Sequence, residues 1–127
     1  QAFPMSLQEF FSENLELAPA IFPADEFIPV HKGGADYHVM PISSAHIEGL
    51  YLARQHYPPG SKVSSEWMIR NGFVGGIVAE GSLELHLDGV EYILSSGDGF
   101  NFSLHRDHSF INNGDVDCTI VCVSFSE

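Results

Sequence analysis

Apolar and polar residues alternate with a period of two over most of the chain. The pattern is clearest from Ser82 to Leu94, where Leu83, Leu85 and Leu87 alternate with Glu84 and His86, and Val90, Tyr92 and Leu94 alternate with Glu91 and Ile93. Asp88-Gly89 stands between the two runs, the strongest local signal for a hairpin whose apolar positions share one buried face. Tyr37–Pro41 and Gly49–Tyr57 read as further strands, the second stopped by Pro58, Pro59 and Gly60. Gly97-Asp98-Gly99 and Asn113-Gly114-Asp115 punctuate strands at Phe100–Leu104 and Ser109–Asn112, and Cys118–Phe125 closes the series. Phe27–Val30, interrupted by Pro29, fits only an edge strand or a loop-like arm. Ahead of it, Ser6 and Glu9 form a capping box before Leu7, Phe10 and Phe11, which predicts a helix from Leu7 to Asn14, and Pro19 and Pro23 mark a connector. Short strands with frequent turns argue for a sandwich or barrel rather than a βαβ fold. The expected organisation is an N-terminal helix and connector over 1–24 and one β-barrel over 25–127, with no internal repeat.

Composition narrows the function. At 127 residues the chain holds one domain. Seventeen acidic residues against five basic ones give a net charge of −12, which repels phosphate backbones and excludes nucleic-acid binding by this stretch alone. Cys118 and Cys122 lie four apart on one predicted strand, so their Cα atoms sit ~13 Å apart, too far for a disulfide. No run approaches the ~20 apolar residues of a membrane span, and no signal peptide is visible. With unpaired thiols, a cytoplasmic location and no membrane partner are expected. The chain begins Gln1-Ala2-Phe3-Pro4, which reads as a piece of a longer protein.

From Gly97 the sequence spaces Ser103, His105, His108 and Asn112 with the cadence of the second half of a cupin motif, lacking its usual proline and second glycine. In order along the chain, M-S-L-Q-E-F-F-S-E, I-F-P-A-D-E-F-I-P-V, K-G-G-A-D-Y-H-V-M, Q-H-Y-P-P-G, V-A-E-G-S-L-E-L-H-L-D-G-V-E-Y-I-L-S-S-G-D and H-S-F-I-N then extend the likeness. The chain resembles the cupin sensor domain of XRE-type bacterial regulators, which join a Cro-like helix-turn-helix domain to a cupin, and is similar to the putrescine-utilisation repressor family. The resemblance implies an all-β cupin double-stranded β-helix, a jelly-roll barrel, with a short N-terminal helix and extended arm. It implies a domain that binds a small effector and forms a homodimer, DNA being reached only through a domain outside this sequence. It departs from the family at the first half motif, where Met68, Arg70 and Val74 occupy the positions of the usual metal-binding His, His and Glu.

One matching histidine, His108, cannot hold a metal alone, since such a site needs three or four donors. His105 falls on the opposite face of an ideal strand unless a turn intervenes. No metal or cofactor is expected, and His108 reads as a pocket histidine that is either hydrogen-bonded in place or in contact with an effector. Glu66, Met68 and Arg70 share strand parity, so an extended strand would turn all three the same way, and the resemblance to the cupin motif implies that way is toward the interior. Glu66 and Arg70 then either satisfy one another or hold an amino acid, amine or organic acid. Trp67, Phe73, Phe100, Phe102 and Tyr57 are candidates for a pocket wall, or plain core. Glu66, Arg70, His108, Met68, Tyr57 and Phe102 make up the expected ligand-binding set. Leu7, Phe10, Phe11, Ile21 and Phe22 are too apolar for a free tail and suit packing on the barrel or on a second copy. No nucleophile and base pair stands out, so a non-enzymatic sensor is the first reading. A metal-dependent cupin dioxygenase or isomerase, or a structural dimerisation module without ligand, are the alternatives.

Overall fold

The computed structural model describes residues 20–42, 49–64 and 71–126. After a 3-10 turn at Ala24–Glu26, ten strands follow: β1 (Ile28–Lys32), β2 (Ala35–Pro41), β3 (Leu50–Tyr57), β4 (Lys62–Ser64), β5 (Gly72–Glu80), β6 (Ser82–Leu87), β7 (Val90–Ser95), β8 (Gly99–Ser103), β9 (His108–Ile111) and β10 (Cys118–Ser126). They form a six-stranded sheet in the order β1-β2-β3-β10-β5-β8 and a four-stranded sheet in the order β4-β9-β6-β7. Every pairing in these sheets is antiparallel.

The alternation of the sequence sets which faces meet. Tyr37 and Val39 of β2, Tyr51, Ala53 and Tyr57 of β3, Leu83 and Leu85 of β6, Phe110 of β9 and Ile120 of β10 are buried in one core between the sheets. The Asp88-Gly89 hairpin is present, with φ of 51° at Asp88 and 82° at Gly89, the left-handed pair that a two-residue turn matching strand twist requires. Arg106 donates from Nε to Asp88 (2.7 Å) and the Asp107 amide donates to the same carboxylate (3.0 Å), tying the β8–β9 loop to this turn. At the other end Asn112, buried, donates from Nδ2 to the carbonyls of Tyr57 (2.8 Å) and Val116 (2.9 Å) and accepts from the Gly114 amide (2.9 Å). One amide side chain thus holds together the end of β3 and the turn before β10.

Several expectations shift. The arm at Phe27–Val30 is a true edge strand, β1, where Pro29 lacks a ladder hydrogen bond at little cost. The inward parity of β7 holds, yet Val90 and Tyr92 are about half exposed (51% and 45%), because β7 is the free edge of its sheet. Strand β5 gives no alternating signal, since Gly72, Gly75 and Gly76 take up its length. The helix expected at Leu7–Asn14 lies outside the described residues.

Gly76 is required by contact. A Cβ there would come within 2.6 Å of the Val121 carbonyl oxygen, 2.7 Å of Cys122 Cβ and 2.8 Å of Phe100 Cζ. Two of these belong to the central strand β10, which cannot yield without moving the sheet. Gly76→Ala is therefore expected to destabilise the domain by about 1–3 kcal/mol in urea unfolding, with an unchanged m-value.

Candidate functional site: the barrel interior

Register, rather than sequence proximity, assembles the interior. Tyr37 of β2 pairs with Gln55 of β3, and Cys122 of β10 lies across β3 from them, beside Ala53. Tyr57 donates to Gln55 Oε1 (2.8 Å), its hydroxyl lies 3.2 Å from that of Tyr37, and Gln55 Nε2 donates to Cys122 Sγ (3.2 Å). All four residues are buried, so each polar group needs a partner within the barrel, and this string supplies one. Burial raises both tyrosine hydroxyls above their ordinary range and pushes the Cys122 thiol up to about 12, keeping all three neutral. Cys118 and Cys122 are free and buried, as their spacing on one strand requires.

From Tyr57 an aromatic path crosses to the facing sheet. The Tyr57 and Phe110 rings lie 6.0 Å apart, Phe110 lies 5.3 Å from Phe100 and 6.2 Å from Phe102, and Phe102 lies 4.8 Å from the imidazole of His108. His108 begins β9 after a turn over 104–107, and that turn separates its fate from that of His105. His108 is buried; His105 is exposed and bonded to Asn71 Oδ1 (2.5 Å). The His108 Nδ1 donates to the carbonyl of Arg106 (3.0 Å), and a carbonyl can only accept, so Nδ1 carries the proton of the neutral ring. Burial is the main cause of a pKa lowered to about 4, so the ring is neutral at pH 7 and Nε2 is its acceptor atom.

Three expected ligand contacts, Tyr57, Phe102 and His108, are therefore gathered in one interior by way of Phe110. Glu66, Met68 and Arg70, with Trp67, lie outside the described residues. Phe100 packs against the core, but Phe73 does not line it: it points outward from β5 and stacks on Phe125 at 5.8 Å. Tyr37 and Gln55 escaped notice because only the β2–β3 register brings them to Tyr57; a glutamine at the inward parity of β3 was the one local sign.

The donor set for a metal at His108 is poor. Val74, at the position of the usual carboxylate, is buried and lies in register with Phe102 and Ser124. Among the described residues, the three-donor cluster that could hold a metal ion is Glu84, His86 and Glu91, which does not include His108. That cluster sits on the outer side of β6 and β7, where His86 Nε2 lies 3.1 Å from Glu84 and 3.7 Å from Glu91, and Asn113 donates to the other Glu84 oxygen (2.7 Å). Among the described residues, those near His108 do not fit a metal ion.

A family model for the cupin domain matches residues 53–124, more than half of the chain. The chain belongs to the cupin family. No curated protein matches this cupin. Solved structures agree on the fold. A cupin 2 conserved barrel domain protein from Salinispora arenicola is 16% identical with a TM-score of 0.67, covering 86% of this chain and 90% of its own. The cupin domain of an XRE family transcriptional regulator from Enterobacter cloacae is 17% identical with a TM-score of 0.60, covering 72% and 97%. A predicted oxalate decarboxylase from Thermotoga maritima is 19% identical with a TM-score of 0.63, covering 84% and 99%. At such identities the likeness is one of fold, and regulators and enzymes share it.

Neutrality of His108 has a measurable consequence. Its folded pKa of about 4 lies below the unfolded value near 6.5, so between these values the unfolded chain binds more protons. Stability conferred by a neutral His108 is full above pH ~6.5, falls as pH drops, and levels off below pH ~4, a span of up to about 3 kcal/mol. The difference between wild type and His108→Gln in unfolding free energy is expected to shrink in the wild type's disfavour across that window. A difference independent of pH would show that the ring is not held neutral by the fold.

Proposed function

We propose that this cupin is a small-molecule sensing domain of a bacterial helix-turn-helix regulator, not an enzyme. The observation that carries the reading is the chemistry of the interior: among the described residues no Asp, Glu, Lys or Arg is buried, and Val74 stands where a metal-binding carboxylate would. A wall of aromatic rings with a few neutral hydrogen-bonding groups suits an organic ligand whose body is apolar. Tyr57 and Tyr37 hydroxyls, Gln55 and His108 offer donors and acceptors but no countercharge. Any charged end of the ligand would then fall to Glu66 and Arg70, which share strand parity in the sequence. An amino acid, an amine or an organic acid meets that description. The XRE family neighbour supports a regulatory setting, in which effector binding favours one arrangement of a dimer and so biases DNA-binding domains outside this sequence.

A second reading, a metal-dependent cupin enzyme, draws on the preset Nδ1–H···O=C bond of His108, an arrangement that also orients metal-ligating histidines, and on the predicted oxalate decarboxylase neighbour.

One thermal-shift series separates the two. Screened against amino acids, small organic acids, amines and divalent metal ions, the domain is expected to gain several degrees from an organic compound, since a ligand at ~100 times its Kd adds about 2.7 kcal/mol. That gain is expected to fall at least tenfold in affinity for Arg70→Ala and for Tyr57→Phe, the loss a missing charged or buried hydrogen bond produces. A shift with metal ions alone, abolished in His108→Gln, would replace the sensor reading with the enzyme.

A further inference from the structure

The outer face of the four-stranded sheet gathers metal-ligating donors that the described residues of the barrel interior do not. In β6 the outward positions are Ser82, Glu84 and His86, which alternate with buried Leu83, Leu85 and Leu87. Register sets His86 directly across from Glu91 of β7, with Glu84 two residues earlier on the same face. His86 Nε2 then lies 3.1 Å from a Glu84 oxygen and 3.7 Å from a Glu91 oxygen, and all three ligand atoms fall within 4.8 Å of one another. Ligands ~2.0–2.1 Å from a tetrahedral ion stand roughly 3.3 Å apart, between the two imidazole–carboxylate distances found here. Glu91, exposed at the sheet edge, is free to swing in and close the third side.

Three features separate this trio from an ordinary patch of surface acids. Its frame is fixed, because the Asp88-Gly89 turn closes the β6–β7 hairpin and Asn113 donates to the Glu84 oxygen that does not face His86 (2.7 Å). Asn113 follows Asn112, whose buried side chain pins that loop, and an outer partner of this kind orients a metal-binding carboxylate. The His86 imidazole, and after it Asn113, hold the Glu84 carboxyl below its usual range, so it is ionised at neutral pH. Charge is also left over. Among the described residues no Lys or Arg pairs with Glu84 or Glu91: Arg106 is taken by Asp88, and Lys62 on this face stands beyond β9 from Glu84, in register with Ile111. A neutral imidazole has one proton to give between two carboxylates, whereas a divalent ion answers all three donors and cancels both charges.

We propose that Glu84, His86 and Glu91 form a surface site for a divalent transition-metal ion, Zn²⁺ being the best match, with water in the fourth position. One imidazole and two carboxylates suit zinc and its neighbours, whereas calcium and magnesium call for six or more ligands, nearly all of them oxygen. The ion braces β7, the free edge of its sheet, against β6, and through Asn113 it bears on the turn before β10. This site is separate from His108, which is in register with Leu87 and buried on the opposite face of the same sheet. The inference therefore does not rest on the effector reading, nor does it revive the metal-dependent enzyme.

Isothermal titration calorimetry of zinc chloride into the 127-residue chain tests it. One equivalent is expected to bind, with affinity reduced roughly a hundredfold in His86→Ala and about tenfold in Asn113→Ala. Glu91→Gln, an isosteric change at an exposed position that leaves the fold in place, is expected to weaken binding by at least about tenfold. His56→Ala removes an exposed histidine beside a single carboxylate, Asp117 (3.3 Å), and is expected to leave the affinity unchanged, as is His108→Gln. Absence of a saturable one-to-one phase overturns the proposal, and so does an affinity that survives both His86→Ala and Glu91→Gln. Zinc binding lost in His108→Gln but kept in His86→Ala overturns it too, and belongs to the enzyme reading instead.

Discussion

Strand β10 is the constraint on which the rest of the structure depends. It lies between β3 and β5, and its alternation assigns every second residue to the core and the others to the outside. Inward, Cys118, Ile120 and Cys122 are buried, and Cys122 terminates the hydrogen-bonded string that begins at Tyr37. Outward, Val121, Val123 and Phe125 lie on the other face of the sheet. A slip of one residue would exchange these sets, placing a phenylalanine and two valines inside and two thiols and an isoleucine outside. The flanking strands hold the register: eight pairs with β3 on one side, and on the other the close approach of β5 that Gly76 permits.

How far the sequence foretold this depends on whether the information was local. The β6–β7 hairpin was legible because Asp88-Gly89 and the leucine alternation are both short-range. The edge position of β1 was legible because proline excludes a central strand. β5 was not, since its glycines answer to Phe100 and β10, neighbours distant in the chain. The same distinction runs through the interior. His108 and Asn112 could be picked out from a spacing pattern, and Phe102 from its neighbours, whereas Tyr37 and Gln55 acquire their role only when β2 pairs with β3. Phe73 was misread for a related reason: an aromatic residue carries no sign of which face of a glycine-rich strand it will take.

The chemistry inside the barrel follows from the placement of charge. With no Asp, Glu, Lys or Arg buried among the described residues, the low dielectric of the core acts on groups that remain neutral there: two tyrosines, two thiols, amides and one imidazole. Burial moves the titratable ones, both tyrosines, both thiols and the imidazole, away from ionisation. Such an interior offers hydrogen bonds but little electrostatic force, so it discriminates by shape and by the pairing of individual donors and acceptors. The proposed sensor reading draws on this feature of the described interior, since catalysis of a charged transition state calls for a preset countercharge.

The two faces of one sheet then suggest how binding inside the barrel could be felt outside it. Gln55 and Cys122 share their strands with Arg54 and Val121, each one residue away and pointing to the opposite side. A ligand that shifts the Tyr37–Tyr57–Gln55–Cys122 string must move the backbone of β3 or β10, because buried side chains held at both ends have little rotamer freedom with which to absorb the change. Movement of those backbones is movement of the outer face. In the proposed sensor, coupling of this kind needs no chain of intermediaries, since the interior and the outer face are the two sides of the same pair of strands.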